Sequence, residues 1–236
     1  MTWFDCIIII IIIIIIIIII IIAAAQYQAI KTKYYRSKIL KDSADPMCRI
    51  CGQFQETIDH ILAGCPELAE TEYLHSHNKA ATYLHWNICK EININTNEKW
   101  YEHKPQTVRE KHDITILWDM PIQRDREIKA KRPDIVINNK QEKRCLLIHM
   151  SIPTEKNTSV KVTENFSKYK DLEKEVEWMW GMKATTIPIV IGALALIKKG
   201  LGKYIQQIPG NIKMHELQKI TLLGTSHILR KALPIK

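Results

Sequence analysis

Three of the six cysteines in this 236-residue chain fall within eighteen residues, as Cys48-x2-Cys51-x8-His60-x4-Cys65. Zinc takes four nitrogen or sulfur ligands at the corners of a tetrahedron. A Cys-x2-Cys pair offers two thiolates from one tight turn, here helped by Gly52. His60 and Cys65 can supply the other two from a short helical turn, so that metal binding becomes folding energy. The plain alternative is a set of scattered structural cysteines or a disulfide pair, but nothing indicates an oxidising compartment. His75, His77 and His85 read as surface or helix-face residues, one of them at best a substitute ligand. Cys89 and Cys145 read as small buried apolar residues.

A second group centres on Arg132-Pro133-Asp134, which opens a strand. Metal-dependent nucleases present carboxylates in this way: one Asp begins a strand, an acid lies on its neighbour, and a lysine sits close by. The carboxylates hold Mg²⁺, a hard ion that needs oxygen ligands. The ion activates water and stabilises the charge that develops on phosphorus. Here the neighbouring position is His149, not an acid. Neutral imidazole is a poor ligand for Mg²⁺, though it suits a softer ion. The plain alternative for Asp134 alone is a strand-capping or turn residue.

The elements that must position these groups can be read from periodicity. Residues from Ala24 read as a helix, with Tyr27, Ile30, Tyr34 and Ile39 near helical spacing, ended by Asp42-Ser43-Ala44-Asp45-Pro46. Residues 67–91 read as an amphipathic helix with Leu68, Leu74, Ala81, Leu84 and Ile88 on one side. ITILW at 114–118 is a strand. DIVI at 134–137 and CLLIHMSI at 145–152 form a hairpin across the turn-prone NNKQEKR. Residues 160–182 form a long helix, 186–194 a buried strand closed by Gly192, and 195–207 and 213–232 two last helices. Strands with covering helices predict an α/β (α+β) domain over 100–236. Trp100, Trp118, Trp178 and Trp180 read as core rather than as base-stacking platforms.

The N-terminus is of another kind. Sixteen isoleucines, Ile7 to Ile22, followed by Ala23–Ala25, inflate the 46% apolar content. A helix of that length spans about 28 Å, close to a bilayer core. Lys31, Lys33 and Arg36 behind it would keep the rest of the chain cytosolic. The segment is a poor signal peptide, because Met1–Cys6 has no Lys or Arg and carries Asp5. A homopolymer of a β-branched residue also reads as a translated triplet repeat with no evolved role. Without the first 22 residues, and so without Asp5, the net charge rises from +9 to +10. Basic residues run through 29–49, around 124–144, and at Lys198, Lys199, Lys203, Arg230 and Lys231. That charge suits phosphate binding, although many surfaces are modestly basic.

Taken together, these motifs resemble the C-terminal part of the polyprotein of non-LTR retrotransposons that carry a restriction-like endonuclease. AAQYQAIKTKYY resembles the stretch after the reverse-transcriptase thumb. Cys48, Cys51, His60 and Cys65 match the family's knuckle in type and order. KRPDIVI matches its Pro-Asp motif, CLLIHMSIP a segment that usually carries Asp where His149 stands, and SKYKDLE its Lys-Tyr segment. TIPIVIGALALIKKG and LLGTSHILRKAL match its last strand and terminal helix. The resemblance covers about 24–236. It implies a restriction-endonuclease-like mixed sheet flanked by helices, preceded by a small zinc knuckle and helices, that nicks target DNA to prime reverse transcription.

The implied layout is a poly-isoleucine leader over 1–23, a post-thumb helix over 24–47, the knuckle and amphipathic helix over 48–92, and the endonuclease domain over 100–236. By resemblance Asp134 is the ligand for Mg²⁺ or Mn²⁺ and Lys168 the catalytic lysine, with Lys161 and Lys170 as alternatives. Tyr169 supports the site, and Glu110 or Asp113 are candidates for an upstream acid. Cys48, Cys51, His60 and Cys65 hold structural Zn²⁺. The implied partners are DNA and RNA and the implied location nuclear, with single-pass membrane association through 7–25 as the alternative. The 236 residues leave no room for reverse-transcriptase palm and fingers, and His149 in place of an acid predicts a weak or inactive nuclease. A non-catalytic zinc-containing nucleic-acid-binding remnant is the competing expectation.

Overall fold

The structure, a computed structural model, describes residues 3–42, 45–122 and 132–233. The basic residues between 124 and 131 lie outside the described residues, as do Ser43 and Ala44. The chain divides into two compact units. The first comprises Met1–Ser76, Ala193–Ala195 and Lys219–Lys236, and the second His77–Gly192 and Leu196–Gln218.

In the first unit, α1 runs from Trp3 to Gln26. Residues Asp5–Gln26 are long and apolar enough to cross a membrane, with a mean hydropathy of 4.2 over an 18-residue window that is 6% buried. The single helix expected from Ala24 onward is broken. Gln28 takes a left-handed φ of 55°. Thr32 then caps a new short helix, α2 (Lys33–Lys38), by accepting from the Tyr35 N–H. Tyr27 (83% exposed) and Ile39 therefore point to solvent instead of lining one face. Two short helices follow, α3 (Ile58–Ala63) and α4 (Pro66–Leu68).

The amphipathic segment expected over 67–91 is helical but not uniform. After α4, Ala69–Tyr73 form a π-turn that leads into α5 (Leu74–Glu91). A π-turn adds a residue and rotates the register. Ala81, Leu84 and Ile88 are buried as expected, whereas Leu74 is 50% exposed.

The second unit holds a five-stranded sheet of order β1-β2-β3-β4-β5: β1 (Val108–Lys111), β2 (Ile114–Trp118), β3 (Ile135–Asn139), β4 (Arg144–Ser151) and β5 (Lys183–Val190). The first four strands are an antiparallel meander, and β5 lies parallel to β4. The hairpin register pairs Ile135 with Ile148 and Ile137 with Leu146. The connection between the parallel strands is α6 (Thr158–Trp180), as a parallel pair requires.

Asn165, Tyr169, Leu172 and Val176 recur at helical spacing and form the buried face of α6. Tyr169, Leu172 and Val176 pack with Val136, Cys145 and Leu147 of the sheet. Trp178 lies off that stripe and is 74% exposed, against the expectation of a core residue. The last strand stops at Val190 rather than continuing to 194. The helix expected over 195–207 shrinks to α7 (Leu201–Ile205). Ala195 and Gly200 both take left-handed φ values, which no helix continues through. The final helix α8 spans Met214–Ala232.

Candidate metal centre

The four knuckle residues meet at one point. Their ligand atoms all lie within 4.8 Å of one another. The local backbone explains why. An antiparallel bridge between Met47 and Gln55 closes the turn that carries Cys48 and Cys51. The Cys48 N–H donates to the Phe54 carbonyl (2.7 Å) and the Gly52 N–H to the Cys48 carbonyl (2.8 Å). Gly52 sits at φ 65°, a left-handed value that favours glycine. Thr57 caps α3 by accepting from the His60 N–H at 3.0 Å. This sets the ring of His60, whose Nε2 lies 3.3 Å from Cys51 Sγ.

Two residues that the motif does not contain hold this arrangement. The Tyr73 hydroxyl accepts from the Cys65 N–H (3.0 Å) and donates to the Ile61 carbonyl (2.7 Å), tying Cys65 to the helix that carries His60. Glu56 is fully buried. Its Oε1 accepts from the Lys33 N–H (2.8 Å) and from Arg49 Nη2 (2.7 Å). Its Oε2 accepts from the N–H (2.9 Å) and Nε (2.8 Å) of Arg49. Burial would raise the Glu56 carboxyl, but these donors outweigh it and hold the group below its ordinary value. Arg49, inside the Cys-x2-Cys turn, is thereby locked to the segment before it. Neither link has a local sequence signal. The Tyr73 link joins side chain to backbone, and the Glu56 link adds the Arg49 guanidinium to two backbone N–H groups; only the closed loop creates either.

The donors suit zinc. Burial pushes the Cys65 thiol up to about 11 and keeps His60 below its ordinary value. Burial would raise Cys51 too, yet the backbone N–H groups of Gln53 and Phe54 help bring it below its ordinary value. Neutral imidazole is the ligand form, and thiols release protons when a metal binds. All six cysteines are free. The Cys48, Cys51, His60 and Cys65 cluster is a metal-binding candidate compatible with structural zinc.

The Asp134 group is also brought together, but its chemistry is different. Continuing the hairpin register by one residue places Asp134 opposite His149. Asp134 Oδ2 lies 2.8 Å from His149 Nδ1 and accepts from the Met150 N–H at 2.6 Å. Asp134 Oδ1 lies 3.4 Å from His77 Nε2, a partner not foreseen from the sequence. His77 is therefore half-buried against a carboxylate instead of a plain surface residue. The Tyr169 hydroxyl donates to the Arg132 carbonyl (3.1 Å) and sits 3.2 Å from His149 Nδ1.

Burial would raise the Asp134 carboxyl, but His149 and His77 outweigh it and hold it far below its ordinary value. Burial would lower His77, yet its bond to Asp134 raises it to about 9. Both carboxylate oxygens are thus committed to imidazoles, and the group is a neutralised ion-pair cluster. A hard divalent ion wants several free oxygens, and these residues do not fit one.

Lys168 is exposed, with Nζ 4.9 Å from the Tyr169 ring centroid. Lys170 is exposed as well. Lys161 pairs with Glu164 at 3.1 Å. Glu110 faces Thr115, which in turn faces Asn138. Glu110 and Asp113, both exposed, therefore lie toward the end of the sheet away from Asp134.

Among the described residues, one further cluster of donors, His85, Cys89 and His103, lies buried in the second unit. Burial pushes His85 down to about 3, lowers His103, and pushes Cys89 up to about 11. Of the two expectations for His85, helix-face holds and surface does not, since it is fully buried on α5; Cys89 is not packed among apolar neighbours alone. No protein-family model matches this chain, and no curated protein matches it.

Proposed function

We propose that this chain is a zinc-containing nucleic-acid-binding module of the kind found at the C-terminal end of non-LTR retrotransposon polyproteins, with its nuclease-type centre quenched. The observation that carries the reading is the convergence of Cys48, Cys51, His60 and Cys65 directly behind a basic segment. Residues 24–52 carry Lys31, Lys33, Arg36, Lys38, Lys41 and Arg49 against Asp42 and Asp45. Arg49 is spent on Glu56 and Arg36 bonds to Asp42 (Nε to Oδ2, 2.9 Å), so the phosphate contacts fall to the exposed Lys31, Lys38 and Lys41. Their binding energy comes from counterion release, and it falls steeply with salt.

A restriction-like endonuclease fold is part of the proposal. Asp134 immediately before β3, position 149 on β4, and a helix bearing Tyr169 meet at one end of a mixed sheet. DNA nicking is lost in this copy because the second acid is His149 and His77 takes the remaining oxygen. Nuclear DNA and RNA are the partners on this reading. The apolar α1 helix favours membrane attachment through 7–25 as a further possibility, which fractionation with and without residues 1–22 decides.

The test is equilibrium binding of duplex DNA and of RNA over a salt series, with the zinc-loaded chain and after chelation. Binding that weakens linearly in log–log salt, and weakens again on chelation, is expected. Lys31→Ala with Lys38→Ala and Lys41→Ala flattens the salt slope by about 2–3. No binding at low salt, or binding indifferent to chelation, overturns the reading.

A further inference from the structure

The buried group formed by His85, Cys89 and His103 is well placed for a task that the first cluster does not perform. His85 and Cys89 are four residues apart on α5, so both side chains leave the same face one turn apart. His103 follows the short 3₁₀ turn at Trp100–Glu102, which aims it back at that face. His85 Nδ1 lies 2.8 Å from His103 Nε2, and Cys89 Sγ lies 3.6 Å from His85 Nδ1. All three donor atoms fall within 4.8 Å of one another.

Zinc bonds of about 2.0–2.1 Å to nitrogen and 2.3 Å to sulfur give tetrahedral edges of about 3.3–3.6 Å. The sulfur–nitrogen edge already has that length, and the two imidazoles need separate by only about half an ångström to meet it. The Trp118 edge stands against the His85 ring at 5.4 Å and fixes its plane. Arg109 carries an Nε that is buried and without a hydrogen-bond partner. Its positive charge acts on His85, Cys89 and His103 alike. That cation would balance a thiolate or an anionic fourth ligand.

A purely structural reading, a hydrogen-bonded histidine pair beside an inert thiol, leaves Arg109 Nε unexplained. It also places three polar side chains in a core where aliphatic ones would pack at no such cost.

We propose that His85, Cys89 and His103 form a second zinc site, with three protein ligands and one position for a water or small anion. Two imidazoles and one thiolate select a borderline ion of the zinc type and exclude Mg²⁺ and Ca²⁺, which require oxygen ligands. On binding, the Cys89 thiol releases its proton to solvent, the proton between His85 Nδ1 and His103 Nε2 moves to the donor ring's other nitrogen, and the hydrogen bond is exchanged for two metal bonds. The site is independent of the knuckle and of nucleic-acid binding.

The test is a Co²⁺ titration of the metal-stripped full chain in detergent, read by visible and near-ultraviolet absorption. Two equivalents are expected. The second gives a thiolate-to-metal band about one third as strong as the first, because one thiolate replaces three. Cys48→Ser with Cys51→Ser removes the strong step and keeps the weak one. Cys89→Ala, which keeps the position apolar, does the reverse. A single equivalent carrying the weak band supports this site while removing the knuckle. A single equivalent with the strong band, or a second equivalent without a thiolate band, overturns the proposal. So does a weak step that survives in Cys89→Ala. The native titration decides even if the variant does not fold.

Discussion

The knuckle and the Asp134 cluster are both sets of polar side chains drawn together by backbone geometry, and they differ in where their donors are spent. In the knuckle, the supporting bonds come from Tyr73, Thr57 and Glu56 and go to backbone groups and the Arg49 guanidinium, none of them to a ligand atom, which leaves the three sulfurs and the imidazole to converge. Around Asp134, the supporting bonds go to the carboxylate itself. His77 and His149 take its two oxygens, so the carboxylate has been satisfied by protein. A site stays able to bind a ligand when its scaffold holds the chain and not the ligand atoms. That contrast orders the tests that follow.

The largest effect is expected from Cys48→Ser together with Cys51→Ser. Structural zinc supplies on the order of 10 kcal/mol in small metal-held segments. Hydrogen exchange over residues 47–65 should lose its protection in this variant while the sheet keeps its own. Equal protection in variant and native chain would mean that the knuckle folds without metal.

Glu56→Gln comes next. Removing one partner of a buried, hydrogen-bonded ion pair costs about 3–5 kcal/mol, read as a drop in the denaturant midpoint. Arg49 is partly exposed, which puts the expected value at the low end. The folded carboxyl lies below its ordinary value of 4.5. The stabilisation is therefore full above about pH 4.5 and is lost as the pH falls below it. Glu56→Gln should abolish that acid limb. A limb that persists unchanged would assign it to another carboxylate.

A smaller effect separates the two clusters by metal. Mg²⁺ should leave the melting temperature of the native chain unchanged. In His149→Asp, two facing carboxylates accept the ion, and saturation at a hundred times Kd adds about 2.7 kcal/mol. Stabilisation of the native chain by Mg²⁺ would contradict the account of Asp134.

The ion pair itself can be titrated. His77 is raised from 6.5 to about 9 in the folded chain. Its contribution to stability is full below about pH 6.5 and is lost as the pH rises through about 9. Proton NMR of the His77 ring should show a midpoint near 9 that falls to 6.5 or below in Asp134→Asn, because burial then opposes the charge without the carboxylate to offset it. The smallest effect belongs to Lys168→Ala. An exposed cation over a tyrosine ring contributes about 0.5–1 kcal/mol, and a larger loss would point to a role beyond packing.

The contrast also shows what a sequence can reveal. The meander from β2 to β4, the long α6 and the terminal α8 were legible because their apolar residues recur at a fixed period. The strand β1 was not, since its Val-Arg-Glu-Lys sequence on a sheet edge has no apolar face to betray it. The break at Gln28 and the π-turn at 69–73 escaped because residues with good helical spacing flank both. Of the two sites, the knuckle was legible as a motif, because its four ligands are near neighbours in the chain. The partner of Asp134 was not. His77 lies on a helix 57 residues upstream of Asp134, and only the folded second unit brings the two together. The same holds for His103, which joins His85 and Cys89 from beyond the end of α5.

The most direct test puts both halves of the contrast in one gel. The zinc-loaded native chain is incubated with supercoiled plasmid and Mg²⁺ or Mn²⁺, beside His149→Asp, and mobility and nicked circle are read together. The account predicts that the native chain retards the plasmid and leaves it supercoiled. A native chain that nicks as fast as His149→Asp, or one that leaves the plasmid unretarded, would contradict it.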